Sequence, residues 1–209
     1  MTNPSRISTF IGVAVLAAAA IPATGLASGQ AANQARCTAS TAGAAIGDSV
    51  LWMAADNYGQ KRALQRALGG PSATVDAKTG RQFQQGISAM RAALGPKACA
   101  AVISLGTNGP VKPEQWKEMM GVVKRVPRVV VVNTYTRDNK TRRDGQAQFW
   151  MDALNAQIAG LRSNKNVRVV DWFGPASRNS SLLEPDGVHP NAKGSAEFAK
   201  LVIRALNQR

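Results

Sequence analysis

The chain has 209 residues, 44% of them hydrophobic and 5% aromatic, with 26 Lys plus Arg against 12 Asp plus Glu and a formal net charge of +14. That length suits one domain with its own core, and regular apolar blocks exclude a disordered chain, while one histidine and two cysteines are a poor inventory for a zinc site. So large a positive charge points to an anionic partner, such as nucleic acid, an acidic membrane or an acidic cell-envelope polymer, and is silent about fold.

Residues 1–31 have the layout of a secretory signal peptide: Arg6, an apolar stretch over 10–21, Pro22, then small residues around Ala27 and Ala31. The apolar run is shorter than the roughly 20 residues that cross a bilayer, and no other segment could span one, so the expectation is export without a transmembrane domain after cleavage. Residues 32–39 read as a polar linker and 40–209 as a single domain. Cys37 and Cys99 both lie just ahead of strands predicted at 44–46 and 101–105. Two thiols in an exported chain are more often a disulfide than a metal site. Neighbouring parallel strands would bring these two together; the alternative is two separate small buried residues.

Downstream, short apolar strands alternate with helical periodicity. A strand at 44–46 runs into Gly47, and a helix follows over 50–68. A second strand occupies 73–75. Phe83, Ile87, Met90 and Leu94 then recur at helical spacing until Gly95-Pro96 ends the segment. The third strand is 101–105. Trp116, Met119, Met120 and Val123 mark a helix that Pro113 helps to start. The fourth strand, 128–133, is apolar on both faces at 129–132, as a central strand should be. Trp150, Leu154, Ile158 and Leu161 form another helical stripe, 167–170 a fifth strand, and Phe198, Leu201, Val202, Ala205 and Leu206 a terminal helix. This alternation predicts an α/β fold with a central parallel sheet of about five strands and helices on both faces. Ligands in such sheets bind at the carboxyl ends of the strands. Those exits carry Gly47-Asp48-Ser49, residues 76–80, Gly106-Thr107-Asn108-Gly109, Asn133-Thr134 and Asp171-Trp172.

Ser49 follows a strand and opens a helix, where unpaired amide groups and the helix dipole would stabilise an oxyanion. Asp48 and Ser49 are equally good helix caps, so this serine alone decides nothing. The lone histidine adds to it. In Asp186-Gly187-Val188-His189-Pro190, Asp and His three apart can meet when the segment turns. A hydroxyl nucleophile needs a base, and the base needs an orienting carboxylate; Ser49, His189 and Asp186 supply the three roles. Asn108 can donate a side-chain N–H to an oxyanion and Gly80 a backbone N–H, although Asn and Gly after strands are also ordinary turn formers.

The four blocks together resemble the SGNH, or GDSL, hydrolase superfamily. The serine block is Gly47-Asp48-Ser49-Val50, with Val where many members have Leu. The glycine block is 76–82, around Gly80-Arg81. The asparagine block is Gly106-Thr107-Asn108-Gly109, where Gly109 replaces the common Asp, and the last block is 186–190. Asp-Ala-x-x-Gly-Arg-Gln, Leu-Gly-Thr-Asn-Gly, Val-Asn-Thr, Trp150 with Asn155, and Val-Asp-Trp at 170–172 are similar to the extracytoplasmic domain of peptidoglycan O-acetyltransferases and related acyltransferases. The resemblance implies a three-layer flavodoxin-like fold. It also implies acyl transfer through Ser49, His189 and Asp186, with an oxyanion hole of the Ser49 and Gly80 backbone N–H groups and the Asn108 side chain. Such chemistry needs no metal or cofactor. The implied substrate is an acylated carbohydrate or small ester. Members of that subgroup often carry a multi-helix membrane module absent from this sequence, so transfer would draw on a separate membrane acyl-donor protein or a soluble ester. Esterase and transferase stay open, and the rival outside enzymes is a noncatalytic envelope-binding protein that uses the fold and a basic surface.

Between 124 and 178 lie eleven Lys or Arg and four Asp, a net of +7. A loop with Arg137, Lys140, Arg142 and Arg143 follows the fourth strand and so belongs on the site side of the sheet. It would attract an anionic cell-envelope polymer, or be a solvated loop. Few aromatics, no recognition motif and export argue against a nucleic-acid partner.

Overall fold

Five strands, β1 (Ala44–Gly47), β2 (Thr74–Ala77), β3 (Ala100–Ser104), β4 (Arg128–Val132) and β5 (Val167–Val170), pair in parallel in the order β2-β1-β3-β4-β5 in the computed structural model of the chain. The structure describes residues 37–137 and 150–208. The predicted signal peptide and residues 32–36 of the linker therefore lie outside the described residues. The described residues belong to one compact unit.

All five predicted strands are present, β5 with the bounds expected and the other four shifted by a residue or two at one end or both. Strand side chains alternate between faces, and the two faces bury separate cores. Ala45, Val102, Val130 and Val132 face Leu51, Leu64, Phe198 and Val202. These belong to α1 (Ser49–Trp52), α2 (Lys61–Ala67) and α7 (Ala192–Asn207). Ile46, Ile103, Val129 and Val131 face Ile87, Met119 and Leu154 of α3 (Phe83–Ala93), α4 (Pro113–Val122) and α5 (Trp150–Gly160). Because both faces are covered, β1, β3 and β4 are buried along their whole length. This is the three-layer flavodoxin-like arrangement expected, and its crevice opens where the chain crosses from one face to the other beside β1.

The helix expected over 50–68 is broken. α1 passes into a π turn, Met53–Asn57, and Gly59 then takes φ +73° before α2 begins. A left-handed residue cannot continue a right-handed helix. A further short helix, α6 (Phe173–Arg178), had no periodic signal. Long-range contacts start it, since Asn133 Oδ1 accepts from the Trp172 and Phe173 N–H groups at 2.7 and 2.8 Å, and a local one adds to them, Asp171 Oδ1 accepting from Gly174 N–H at 2.9 Å.

Cys37 and Cys99 form a disulfide with Cα atoms 5.5 Å apart. It joins the chain ahead of β1 to the chain ahead of β3, the neighbouring parallel strand. Ser72 Oγ also donates to Ala39 O at 3.1 Å, so the end of the stretch read as linker is held to the domain. Within the basic stretch, Arg128 is not a surface charge. It is 5% exposed and donates to Leu206 O near the C-terminal end of α7, where the dipole favours a cation.

Candidate active site

Every loop leaving the carboxyl edge of β1, β2, β3 and β4 is tied to a neighbouring loop. At the end of β1, Asp48 is the N-cap of α1 and its Oδ1 accepts from Val50 N–H at 3.1 Å. Its Oδ2 accepts from Gly106 N–H at 3.0 Å, Thr107 N–H at 3.1 Å and Thr107 Oγ1 at 2.7 Å. One buried carboxylate thus caps the serine's helix and grips the loop after β3. Burial pushes the Asp48 carboxyl above the ordinary carboxylate value, while its hydrogen bonds with Thr107, Val50 and Gly106 oppose the rise.

Arg81 does the same for the loop after β2. Its Nη1 donates to Gly47 O at 3.0 Å and Asp76 O at 2.8 Å, and its Nη2 pairs with Asp76 Oδ1 at 2.8 Å. The Arg81 carbonyl accepts from Asn108 Nδ2 at 3.2 Å. Asp48 precedes Ser49, Arg81 follows Gly80 and Thr107 precedes Asn108, so each candidate oxyanion donor is one residue from a cross-tie. Gly80 is exposed in a turn at φ +71°, and its N–H makes no hydrogen bond among the described residues. Ser49, the first residue of α1, has no intrahelical acceptor for its own N–H.

The turn at 183–190 brings the histidine over this edge. Gly187 takes φ +71°, and Asp186 Oδ1 accepts from the Val188 and His189 N–H groups at 2.9 and 3.0 Å. Asp186 Oδ2 lies 2.7 Å from His189 Nδ1, and His189 Nε2 lies 2.8 Å from Ser49 Oγ. Burial pushes the Asp186 carboxyl up, but the hydrogen bonds from the His189 ring, His189 N–H and Val188 N–H outweigh it and hold the group below the usual value. An ionised carboxylate only accepts, so His189 Nδ1 donates to Asp186, and in a neutral imidazole Nε2 is then the nitrogen that accepts from the Ser49 hydroxyl. The hydroxyl itself is in a residue 7% exposed. Ser49, His189 and Asp186, expected together from the sequence, are one hydrogen-bonded chain across 140 residues of sequence.

The other residues that carry the resemblance join neighbouring strand exits to one another and to α5. Asn133 Nδ2 donates to Asp171 Oδ1 at 2.9 Å. Thr134 N–H donates to Asn155 Oδ1 and Asn155 Nδ2 donates back to Thr134 O, both at 2.9 Å. Trp150 Nε1 donates to Gly106 O at 3.3 Å. These contacts brace the exits of β3, β4 and β5. Arg137 N–H donates to Gly187 O at 2.7 Å, so the basic segment begins against the histidine turn, on the site side as expected; Lys140, Arg142 and Arg143 lie outside the described residues. The cross-tying roles of Asp48 and Arg81 were not apparent from spacing, although a charged residue beside Ser49 and another beside Gly80 were visible. Among the described residues no three His, Cys, Asp or Glu side chains gather as a metal site, and no helix is long and apolar enough to cross a membrane.

The model of the GDSL-like lipase/acylhydrolase family matches residues 45–196. Peptidoglycan O-acetyltransferase OatA of Listeria monocytogenes is 28% identical over 166 residues, 78% of this chain and 24% of that protein. The chain thus spans about a quarter of the length of the curated relative it matches. Among solved structures, the C-terminal catalytic domain of Streptococcus pneumoniae OatA aligns with a TM-score of 0.57 at 21% identity, covering 82% of this chain and 92% of that one. A variant of the acetyl xylan esterase Axe2 from Geobacillus stearothermophilus aligns with a TM-score of 0.60 at 14% identity, covering 83% and 97%. At these identities the structures share the fold.

Proposed function

The chain belongs to the GDSL-like lipase/acylhydrolase family, and on that premise we propose that it is an exported serine esterase or O-acyltransferase acting on O-acyl groups, foremost O-acetyl groups, of cell-envelope carbohydrate. The observation that carries the reading is the continuous Ser49–His189–Asp186 hydrogen-bond chain at the carboxyl edge of the sheet. The signal-peptide pattern supports export. The acetylated-glycan chemistry named for OatA and Axe2 supports the substrate class.

In this mechanism Ser49 Oγ attacks the ester carbonyl while its proton passes to His189 Nε2, and Asp186 stabilises the imidazolium. Negative charge moves to the carbonyl oxygen, where the Ser49 and Gly80 N–H groups and Asn108 Nδ2 would donate. One Asn108 amide proton is already held by Arg81 O, which orients the second. The C–O bond to the sugar then breaks and His189 returns its proton to the departing oxygen, leaving an acyl-Ser49. Water releases the acyl group in an esterase; a sugar hydroxyl takes it in a transferase, with His189 again the base.

The test is incubation of wild type and Ser49→Ala with p-nitrophenyl acetate, with acetylated peptidoglycan, and with an acetyl donor plus glycan acceptor. The expected result is loss of turnover in Ser49→Ala and fluorophosphonate labelling of Ser49 in the wild type. Free acetate marks an esterase and acetylated glycan a transferase. Equal turnover in Ser49→Ala, or no labelling of the folded protein, would overturn the reading.

A further inference from the structure

The turn that carries Asp186 and His189 closes on one residue, Glu184. Its N–H donates to His189 O at 2.8 Å and its carbonyl accepts from Gly187 N–H at 2.9 Å. The antiparallel bridge between Leu183 and Pro190 lies just outside this pair. The position of the imidazole therefore depends on that of the Glu184 backbone. The Glu184 side chain makes a contact that the acyl-transfer steps leave unused: its Oε1 accepts from the Tyr58 hydroxyl, 126 residues away in sequence.

Tyr58 stands at the end of the nucleophile's own helical segment. α1 begins at Ser49 and runs without interruption into the π turn Met53–Asn57, which Tyr58 N–H closes by donating to Met53 O at 2.9 Å. Gly59 then turns the chain away. A π turn widens the helix by one residue and redirects the chain beyond it. Here the residue at its exit is the one that reaches the histidine turn. Glu184 holds the phenol above its ordinary pKa, first through this hydrogen bond, so the hydroxyl stays a donor.

We propose that Tyr58 and Glu184 are positioning residues that clamp the segment bearing Ser49 to the turn bearing His189 and so set the distance over which the proton moves. The proposal rests on the Ser49 acyl-transfer mechanism. Neither side chain touches the reacting atoms. Among the described residues the one other hydrogen bond between these two segments is that of Ser49 with His189, which substrate displaces, and small errors in such alignment carry large rate penalties.

The experiment compares Tyr58→Phe, Glu184→Ala, the double variant and Glu184→Gln, using p-nitrophenyl acetate. The chain has one histidine, so the imidazole resonances belong to His189 without further assignment and report its environment directly. The expected result is a kcat about tenfold lower in Tyr58→Phe and in Glu184→Ala, with KM changed less than about twofold. The double variant should be no worse than the poorer single one, as contact between the two residues requires. Glu184→Gln, which keeps an acceptor oxygen, should recover most of the rate. The His189 ring signals should shift or broaden in the two slow variants and return in Glu184→Gln. Unchanged kcat and ring signals in Tyr58→Phe, or losses that multiply in the double variant, would overturn the clamp. If Ser49→Ala is as active as wild type, the function reading falls separately and the ring signals alone decide the clamp.

Discussion

Replacing Asp48 by Asn tests whether one buried carboxylate both caps the nucleophile's helix and anchors the loop of Asn108. Four donors converge on its two oxygens: Val50 N–H on one, and Gly106 N–H, Thr107 N–H and Thr107 Oγ1 on the other. An amide offers a single acceptor oxygen. Turned toward Gly106 and Thr107, it keeps three of these bonds but sets an NH2 group against Val50 N–H. The cap is then lost at about 1 kcal/mol, and an amide donor without a partner in a site 1% exposed adds about 1–3 kcal/mol. The opposite orientation aims NH2 at two backbone N–H groups and is worse. These losses sum to about 2–4 kcal/mol, and the desolvation that a neutral amide escapes offsets part of them, so Asp48→Asn should destabilise the fold by less than about 4 kcal/mol, which a domain of this size survives. As Ser49 and Asn108 drift, kcat should drop by on the order of 10²-fold. Urea denaturation at neutral pH, alongside p-nitrophenyl acetate turnover, reads both quantities. A midpoint within experimental error of wild type, with full activity, would refute the cross-tie.

Asn108→Ala should lower kcat by roughly 10²–10³, the usual loss for one oxyanion donor; a change below about threefold with p-nitrophenyl acetate would remove Asn108 from that role. Paired Cys37→Ser and Cys99→Ser substitution opens a loop of sequence separation 62 and should cost about 4 kcal/mol by chain entropy. Its activity at 25 °C should be preserved, because the bond lies at the end of the sheet opposite Ser49; denaturation with and without reductant checks this. Asp186 has a folded pKa below its ordinary value of 3.8. Its ionised form thus stabilises the fold above that pH, and the contribution disappears as pH falls through the lower folded value. Asp186→Asn should flatten the acid limb of a stability profile below about pH 4, by a small amount at a side chain 35% exposed; an unchanged limb would contradict the sign.

The five strands and the helices α3, α4, α5 and α7 were legible because their signals are local. A run such as Val129–Val132 is apolar on both faces wherever it is placed, and Phe83, Ile87 and Met90 share a helix face by spacing alone. The Asp186–His189 pair was legible for the same reason: three residues and a glycine turn are enough to bring the two together. The π turn and α6 were not, since one ends at a left-handed glycine inside an apparently helical pattern and the other starts on acceptors supplied by Asn133. The residue types of the site were thus present in the sequence, but their joining was decided by hydrogen bonds between segments 27–140 residues apart: Arg81 to Asn108, Asp48 to Thr107, Tyr58 to Glu184 and Ser49 to His189. Periodicity reports only which face of its own element a side chain occupies. Which loops become neighbours along the carboxyl edge is set by the strand order, and that order is a property of the packed sheet.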